Sequence, residues 1–269
     1  MQVSIPSHDS TIYRTLTKSV VISLVSYWNT RPFLYGMEHL GLQHKAQLLL
    51  DVPSAGGARL LKNEVDIALA PVIMLNQLSD AEVITDYCIG ATAAVKTVNL
   101  YATVPLESIQ KVYLDRHSLT SVQLLRILFH EFWKKEVEWV SSDVQPELLQ
   151  SGEAALVIGD KTFHWQDRFP VVYDLAEEWI RFTGKPFVFA AWITRKPISD
   201  EWKEQLNAAF AYGLSHLDEV VESLRTTGIT ADVLMEYYTR HISYQLDNSK
   251  REGLSLYLQK ARLLPALQY

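Results

Sequence analysis

Nearly continuous apolar runs alternate along this chain with stretches whose apolar positions recur at helical spacing. The first run, 20–25, is β-branched and stops at Ser26-Tyr27-Trp28-Asn29, which predicts a buried strand ending in polar side chains. From Pro32 onward, Phe33, Leu34, Met37 and Leu40 fall on one helical face, with Pro32 suited to the first turn. A second run over 48–52 closes at Pro53-Ser54, where Ser54 is a candidate N-cap for a helix over 58–63. A third run spans 65–72. Strand, helix, strand, helix, strand with apolar strands is the α/β pattern of a parallel sheet covered on both faces. Further extended runs at 88–91 and 95–103 lead to Val104-Pro105, an exit from this first unit.

A second α/β unit then follows. It reads as a strand over 112–114, a polar run 115–121 opening a helix over 122–133, a strand over 137–140, a short helix over 146–150 and a strand over 154–158 that stops at Gly159-Asp160. The stretch 186–193 is apolar throughout and predicts a strand buried on both faces that carries the chain back into the first unit. Beyond Pro197 the pattern is helical to the end, with Leu234, Tyr237, Tyr238, Ile242 and Leu246 as one apolar stripe. The expected organisation is a polar, disordered leader over 1–18, one lobe from 19–103 plus 187–269, and a second lobe over 104–186. Two crossings between lobes leave a cleft, and open α/β sheets bind ligands at the carboxyl ends of their strands.

Composition narrows the function. Of 269 residues 48% are hydrophobic and 21% charged, enough apolar surface to fold. Lys and Arg number 25 against 31 Asp and Glu, a net charge of −6, which argues against a nucleic-acid partner. Cys88 is the single cysteine and the eight histidines are scattered, so neither a disulfide nor a metal site is expected. No run approaches the ~18 apolar residues that span a bilayer. Residues 1–18 do not read as a secretory signal, so no membrane association and a cytoplasmic location are expected.

Several polar groups stand where strands should end. Ser26, Tyr27 and Asn29 follow the first strand; Asn29 could orient a hydroxyl or carboxylate, or simply close a turn. Ser54 could cap its helix or contact an anion at the helix N-terminus. Ser118, Thr120 and Ser121 supply more hydroxyls than one cap requires, and with free backbone N–H groups they make a ready anion site. Asp160 is either a cleft acid or a turn aspartate, and Thr97 either faces the cleft or packs. Cys88, among apolar neighbours, reads as a core thiol, and Trp192 as core or cleft wall. Strong bases are scarce in this set, which suits positioning of a polar anion better than proton abstraction by a dedicated side chain.

Ser26-Tyr27-Trp28-Asn29-Thr30-Arg31-Pro32, Val52-Pro53-Ser54 and the run from Glu64 to Val72 resemble the chorismate dehydratase family of the futalosine route to menaquinone. Tyr87-Cys88-Ile89-Gly90, Val104-Pro105-Leu106-Glu107, Asp115 with Ser118, Thr120 and Ser121, and the stretch from Gly152 to Asp160 continue the similarity, which extends from about residue 20 to the C-terminus. The resemblance implies a two-lobed, type II periplasmic-binding-protein-like fold. It also implies conversion of chorismate to 3-[(1-carboxyvinyl)oxy]benzoate and water without metal or organic cofactor. The family's active-site asparagine falls on Asn29 and its active-site serine on Thr97; Ala93 stands where a glycine is expected. Tyr27, Ser26, Ser54, the hydroxyls at 118–121 and Asp160 are the expected substrate contacts. Two other readings share the fold, a small-anion binding protein without catalysis and the sister dihydroxynaphthoate synthase activity.

Overall fold

The computed structural model describes residues 19–264 except 52, 116–117, 143–145, 166–167 and 226–227, with the side chains of 53 and 54 also outside the description. The expected leader 1–18 and the Ser54 side chain therefore lie outside the described residues. Two mixed sheets build the two lobes. The first contains β1 (Val20–Val25), β2 (Ala46–Asp51), β3 (Ile67–Pro71), β4 (Glu82–Ala91), β10 (Phe187–Thr194) and β11 (Ser243–Gln245), in the order β11-β4-β10-β3-β1-β2. The second contains β5 (Val98–Ala102), β6 (Lys111–Leu114), β7 (Glu138–Ser141), β8 (Glu153–Ile158) and β9 (Val171–Asp174), in the order β7-β6-β8-β5-β9.

The apolar runs form the centre of the first sheet because helices cover both its faces. Every residue of β3 is buried, and β1 buries even Ser23, whose hydroxyl donates to Asp51 Oδ2 at 2.8 Å. A buried hydroxyl with a charged acceptor avoids the cost of an unpaired polar group. β1 runs parallel to β2 and β3, as the pattern predicts, but β10 is antiparallel to both β3 and β4. The parallel pairing expected of the first three strands is therefore found, within a sheet that is mixed as a whole. β4 leaves toward the second lobe and β10 returns from it, Phe187 pairing with Ala91, so the two must run in opposite directions.

Hydropathy misplaces one strand. β5 lies between β8 and β9 in the second sheet, so 98–103 belongs there and the first crossing falls over 92–97. Gly159 N–H donates to Thr97 O at 2.9 Å, extending this ladder to the cleft. An apolar run predicts a buried strand without saying which sheet receives it.

Helix boundaries shift as well. α1 (Arg31–His39) has Pro32 in its first turn, as expected. α2 (Pro53–Leu61) begins before the predicted 58, which puts Ser54 inside the first turn rather than at the N-cap. α3 (Leu119–Ile127) ends in a π-helical turn over Leu128–Phe132 instead of running straight to 133. α4 (Leu175–Thr183), not parsed from the apolar pattern, is capped by Asp174, which accepts from the Ala176 and Glu177 N–H groups, and it stops at the left-handed Gly184.

The C-terminal stripe is not one helix. It divides into α5 (Asp200–Ser215), α6 (Leu217–Glu222), α7 (Ala231–Glu236), a π-helical turn over Tyr237–His241, β11, and α8 (Asn248–Leu263). Among the described residues no helix is long and apolar enough to cross a membrane. Trp192 is core, stacked on Phe210 with centroids 4.6 Å apart. Cys88 is fully buried, and burial pushes its thiol up to about 12, so it is inert as read.

Candidate active site

A cavity lies between the two sheets and contains about 570 Å³ of space not filled by protein atoms, part of it open to solvent. The first lobe supplies the end of β1 with Tyr27, Asn29 and Thr30, together with Leu69, Pro71, Ile89, Phe189 and Ala190. From the second come Thr97, Val98, Ile158, Gly159 and the N-terminus of α3 with Ser118, Thr120 and Ser121. None of these lining residues carries a charged side chain. The polar groups are one phenol, one amide and several hydroxyls, set in apolar walls.

The turn after β1 is held by Thr30, whose hydroxyl contacts Val25 O at 2.5 Å and Tyr27 O at 2.8 Å. Turn closure therefore falls to Thr30, and the Asn29 side chain is released to the cavity. Ser118 stands at the N-cap of α3 yet makes no side-chain capping bond. It is 5% exposed and lines the cavity with Ser121. Thr120 Oγ1 accepts, at a long 3.5 Å, from Ile73 N–H, and its carbonyl accepts from the Tyr257 hydroxyl. First-turn N–H groups have no intrahelical partner and carry the positive end of the helix dipole, so this corner favours an anion.

Thr97 is buried, and its Oγ1 lies 2.9 Å from the hydroxyl of Tyr237. The two groups that the resemblance names as catalytic, 68 positions apart in sequence, thus line one cavity. Two more tyrosines grip the turn after β1: the Tyr238 hydroxyl donates to Trp28 O and that of Tyr244 to Asn29 O, each at 2.9 Å. None of the three was singled out from the sequence as a site residue. Tyrosine on an apolar stripe reads as core, though a buried phenol needs a partner for its O–H, and that need is the signal.

Tyr27 packs on Gly159, which has a φ of +79° and where a Cβ would come within 2.6 Å of the Tyr27 ring. Burial, then the charges of Asp115 and Asp160, push the Tyr27 phenol up to about 12, so it stays a neutral donor. The remaining two expected contacts lie elsewhere. Ser26 is exposed, its N–H bound to Asp51 O, and it is not part of the cavity lining. Asp160 is also outside the lining; both its oxygens accept from Trp28 N–H at 3.1 Å, across the lobes. Beside it the Trp28 and Phe163 rings meet with centroids 5.3 Å apart. These contacts latch the second lobe to the turn that carries Asn29.

Desolvation raises the Asp160 carboxyl from an ordinary 3.8 to about 7, against the opposing pull of Trp28 N–H and Arg31. The folded protein then keeps this proton up to about pH 7, whereas the unfolded chain releases it near 4. Stability from this group is present below about pH 4 and lost as the pH rises through about 7. Asp160→Asn is expected to remove that slope, so that wild type loses more thermal stability than the variant between pH 5 and 8. Parallel melting curves for the two proteins would refute it.

Two lobes, mixed sheets and a cleft with an anion-favouring helix end are the architecture of the periplasmic-binding-protein-like folds. The aliphatic sulphonate binding protein SsuA of Escherichia coli superposes with a TM-score of 0.58 at 15% identity, covering 91% of this chain and 90% of that one. A protein of Archaeoglobus fulgidus, AF1704, superposes with a TM-score of 0.72 at 14% identity, over 90% and 96% of the two chains. Residues 20–263 match the sequence profile of the menaquinone biosynthesis family, and the chain belongs to that family. A chorismate dehydratase of Thermus thermophilus is 27% identical over 260 residues, covering 89% of this chain and 94% of that protein.

Proposed function

We propose that the protein is a chorismate dehydratase, a carbon–oxygen lyase that converts chorismate to 3-[(1-carboxyvinyl)oxy]benzoate and water. The observation that supports it most is a cavity, uncharged among the described residues, in which an amide, Asn29, and a hydroxyl, Thr97, face a hydroxyl-rich helix N-terminus. In the reaction the C3 hydrogen leaves as a proton, the C4 hydroxyl leaves as water, and the ring becomes aromatic. Ser118, Thr120, Ser121 and the first-turn N–H groups of α3 hold a substrate carboxylate, and the neutral Tyr27 phenol donates at the edge of the site. Asn29 and Thr97 hydrogen-bond the departing hydroxyl and steady the charge that develops on it. With no carboxylate or imidazole in the lining among the described residues, the substrate's own enolpyruvyl carboxylate takes the C3 proton, a transfer that positioning alone favours strongly.

The test is incubation with chorismate followed by chromatography and mass spectrometry. Enzyme-dependent formation of the dehydrated aromatic enol ether is expected. Chorismate bound but returned unchanged would instead indicate a binding protein of the same fold. Asp160 is the rival base, and its bond to Trp28 argues for a latch. Asp160→Asn is accordingly expected to keep kcat within about tenfold of wild type; lost turnover with intact binding would make Asp160 the base.

A further inference from the structure

We infer that the short 3₁₀-helical turn Asp160–His164 is a spacer that sets the separation of Asn29 from Thr97, with Asp160 and Phe163 as its positioning residues. The kinetic consequence rests on the dehydratase reading above; the geometry does not. The carbonyls of the turn that carries Asn29 are held from within the first lobe, by the hydroxyls of Thr30, Tyr238 and Tyr244. The N–H of Trp28, next to Asn29, is held from the second lobe by both oxygens of Asp160. The residue before Asp160 is tied to the other wall of the site, since Gly159 N–H donates to Thr97 O at 2.9 Å. Two consecutive residues thus grip the main chain beside Asn29 and at Thr97.

Phe163 repeats the link with its ring. Its centroid lies 5.3 Å from that of Trp28 and 5.1 Å from that of Tyr237, whose hydroxyl meets Thr97 Oγ1. A loose loop could not space two walls, but this turn is braced from inside. Thr162 is fully buried, and its N–H and hydroxyl both donate to Gly159 O, at 3.0 and 2.8 Å. The Thr162 carbonyl accepts from the Tyr101 hydroxyl at 3.4 Å. Gly159 has a φ of +79°, and the Tyr27 ring stands where its Cβ would, so the backbone enters the turn in a conformation closed to other residues. A turn that merely ended β8 would need neither the bond to Trp28 nor the ring between Trp28 and Tyr237. Spacing matters here because two neutral groups act on one substrate only when both are placed, and a shift of about 1 Å is costly.

Asp160→Ala removes the acceptor for Trp28 N–H, whereas Asp160→Asn keeps an oxygen there. In crystal structures the Asn29–Thr97 Cα separation is expected to change by about 1 Å in Asp160→Ala and to match wild type in Asp160→Asn. With chorismate, at a temperature where melting curves show each protein folded, Asp160→Ala is expected to lose about 10- to 100-fold in kcat, with a smaller change in KM. Asp160→Asn is expected to exceed it in kcat by at least about fivefold, a recovery that lost charge alone would not give. An unchanged separation in Asp160→Ala, a kcat within about twofold of wild type, or equal losses in the two variants would each overturn the inference. Should wild type fail to turn chorismate over, the dehydratase reading falls and the crystallographic comparison alone decides the positioning role. If Asp160→Ala does not fold, Phe163→Ala withdraws the ring from the same turn, and an Asn29–Thr97 separation unmoved in that variant overturns it.

Discussion

Asn29→Ala is expected to lower kcat for chorismate dehydration by about 100- to 1000-fold, the loss typical of removing one preorganised donor at a developing charge. KM should change much less, because the proposed carboxylate site at the start of α3 is a separate set of groups. The fold should tolerate the change. Thr30 closes the turn through its own hydroxyl, and Tyr244 binds the main-chain carbonyl of residue 29, which alanine also has. Steady-state kinetics beside thermal melting separate the two effects. A variant that retains a tenth or more of wild-type kcat would remove Asn29 from the chemistry, and one that fails to fold would make it structural.

Gly213→Ala should have the largest effect on stability. α1 and α5 cross in contact: a Cβ at Gly213 would lie 1.7 Å from Pro32 O, and one at Gly36 would lie 1.7 Å from Ala209 O. Both obstacles are backbone, so no side-chain rotation relieves them and the helices must move apart. A cost of about 3 kcal/mol or more is expected from such overpacking. Activity should fall with it, because α1 begins two residues after Asn29 and its displacement shifts the catalytic turn. Gly184→Ala is the control: Gly184 has a φ of +68° but nothing within 4 Å of a Cβ, so the change costs about 1 kcal/mol of backbone strain. Denaturant unfolding of both variants decides the matter, and equal losses would show that the helix crossing yields more easily than its geometry suggests.

The groups legible in the sequence were those at abrupt ends of apolar runs. β1 stops at Ser26, and three of the next four residues, Tyr27, Asn29 and Thr30, line the cavity. The hydroxyl cluster at the start of α3 stands out in the sequence because it exceeds what a cap needs, and Ser118 makes no side-chain capping bond. Asp160, also at a strand end, is absent from the cavity lining, since only the approach of Trp28 decides where its oxygens point. Ser26 failed for a similar reason: from one residue to the next in a turn the side chain changes face, and hydropathy does not record which one enters the cleft.

By itself the sequence determined the α/β class, the buried central strands and the stretches that could carry chemistry, because burial and backbone preference act locally and leave a local pattern. It also carried the motifs that mark the family. Only the tertiary structure decided which sheet receives β5, which strands run antiparallel, and which distant side chain completes the site. Tyr237 lies 140 positions from Thr97, yet their hydroxyls meet at 2.9 Å. That partnership depends on how the C-terminal segment packs back over the cleft. Long-range packing is set by the complementarity of whole surfaces, which no short window of residues contains.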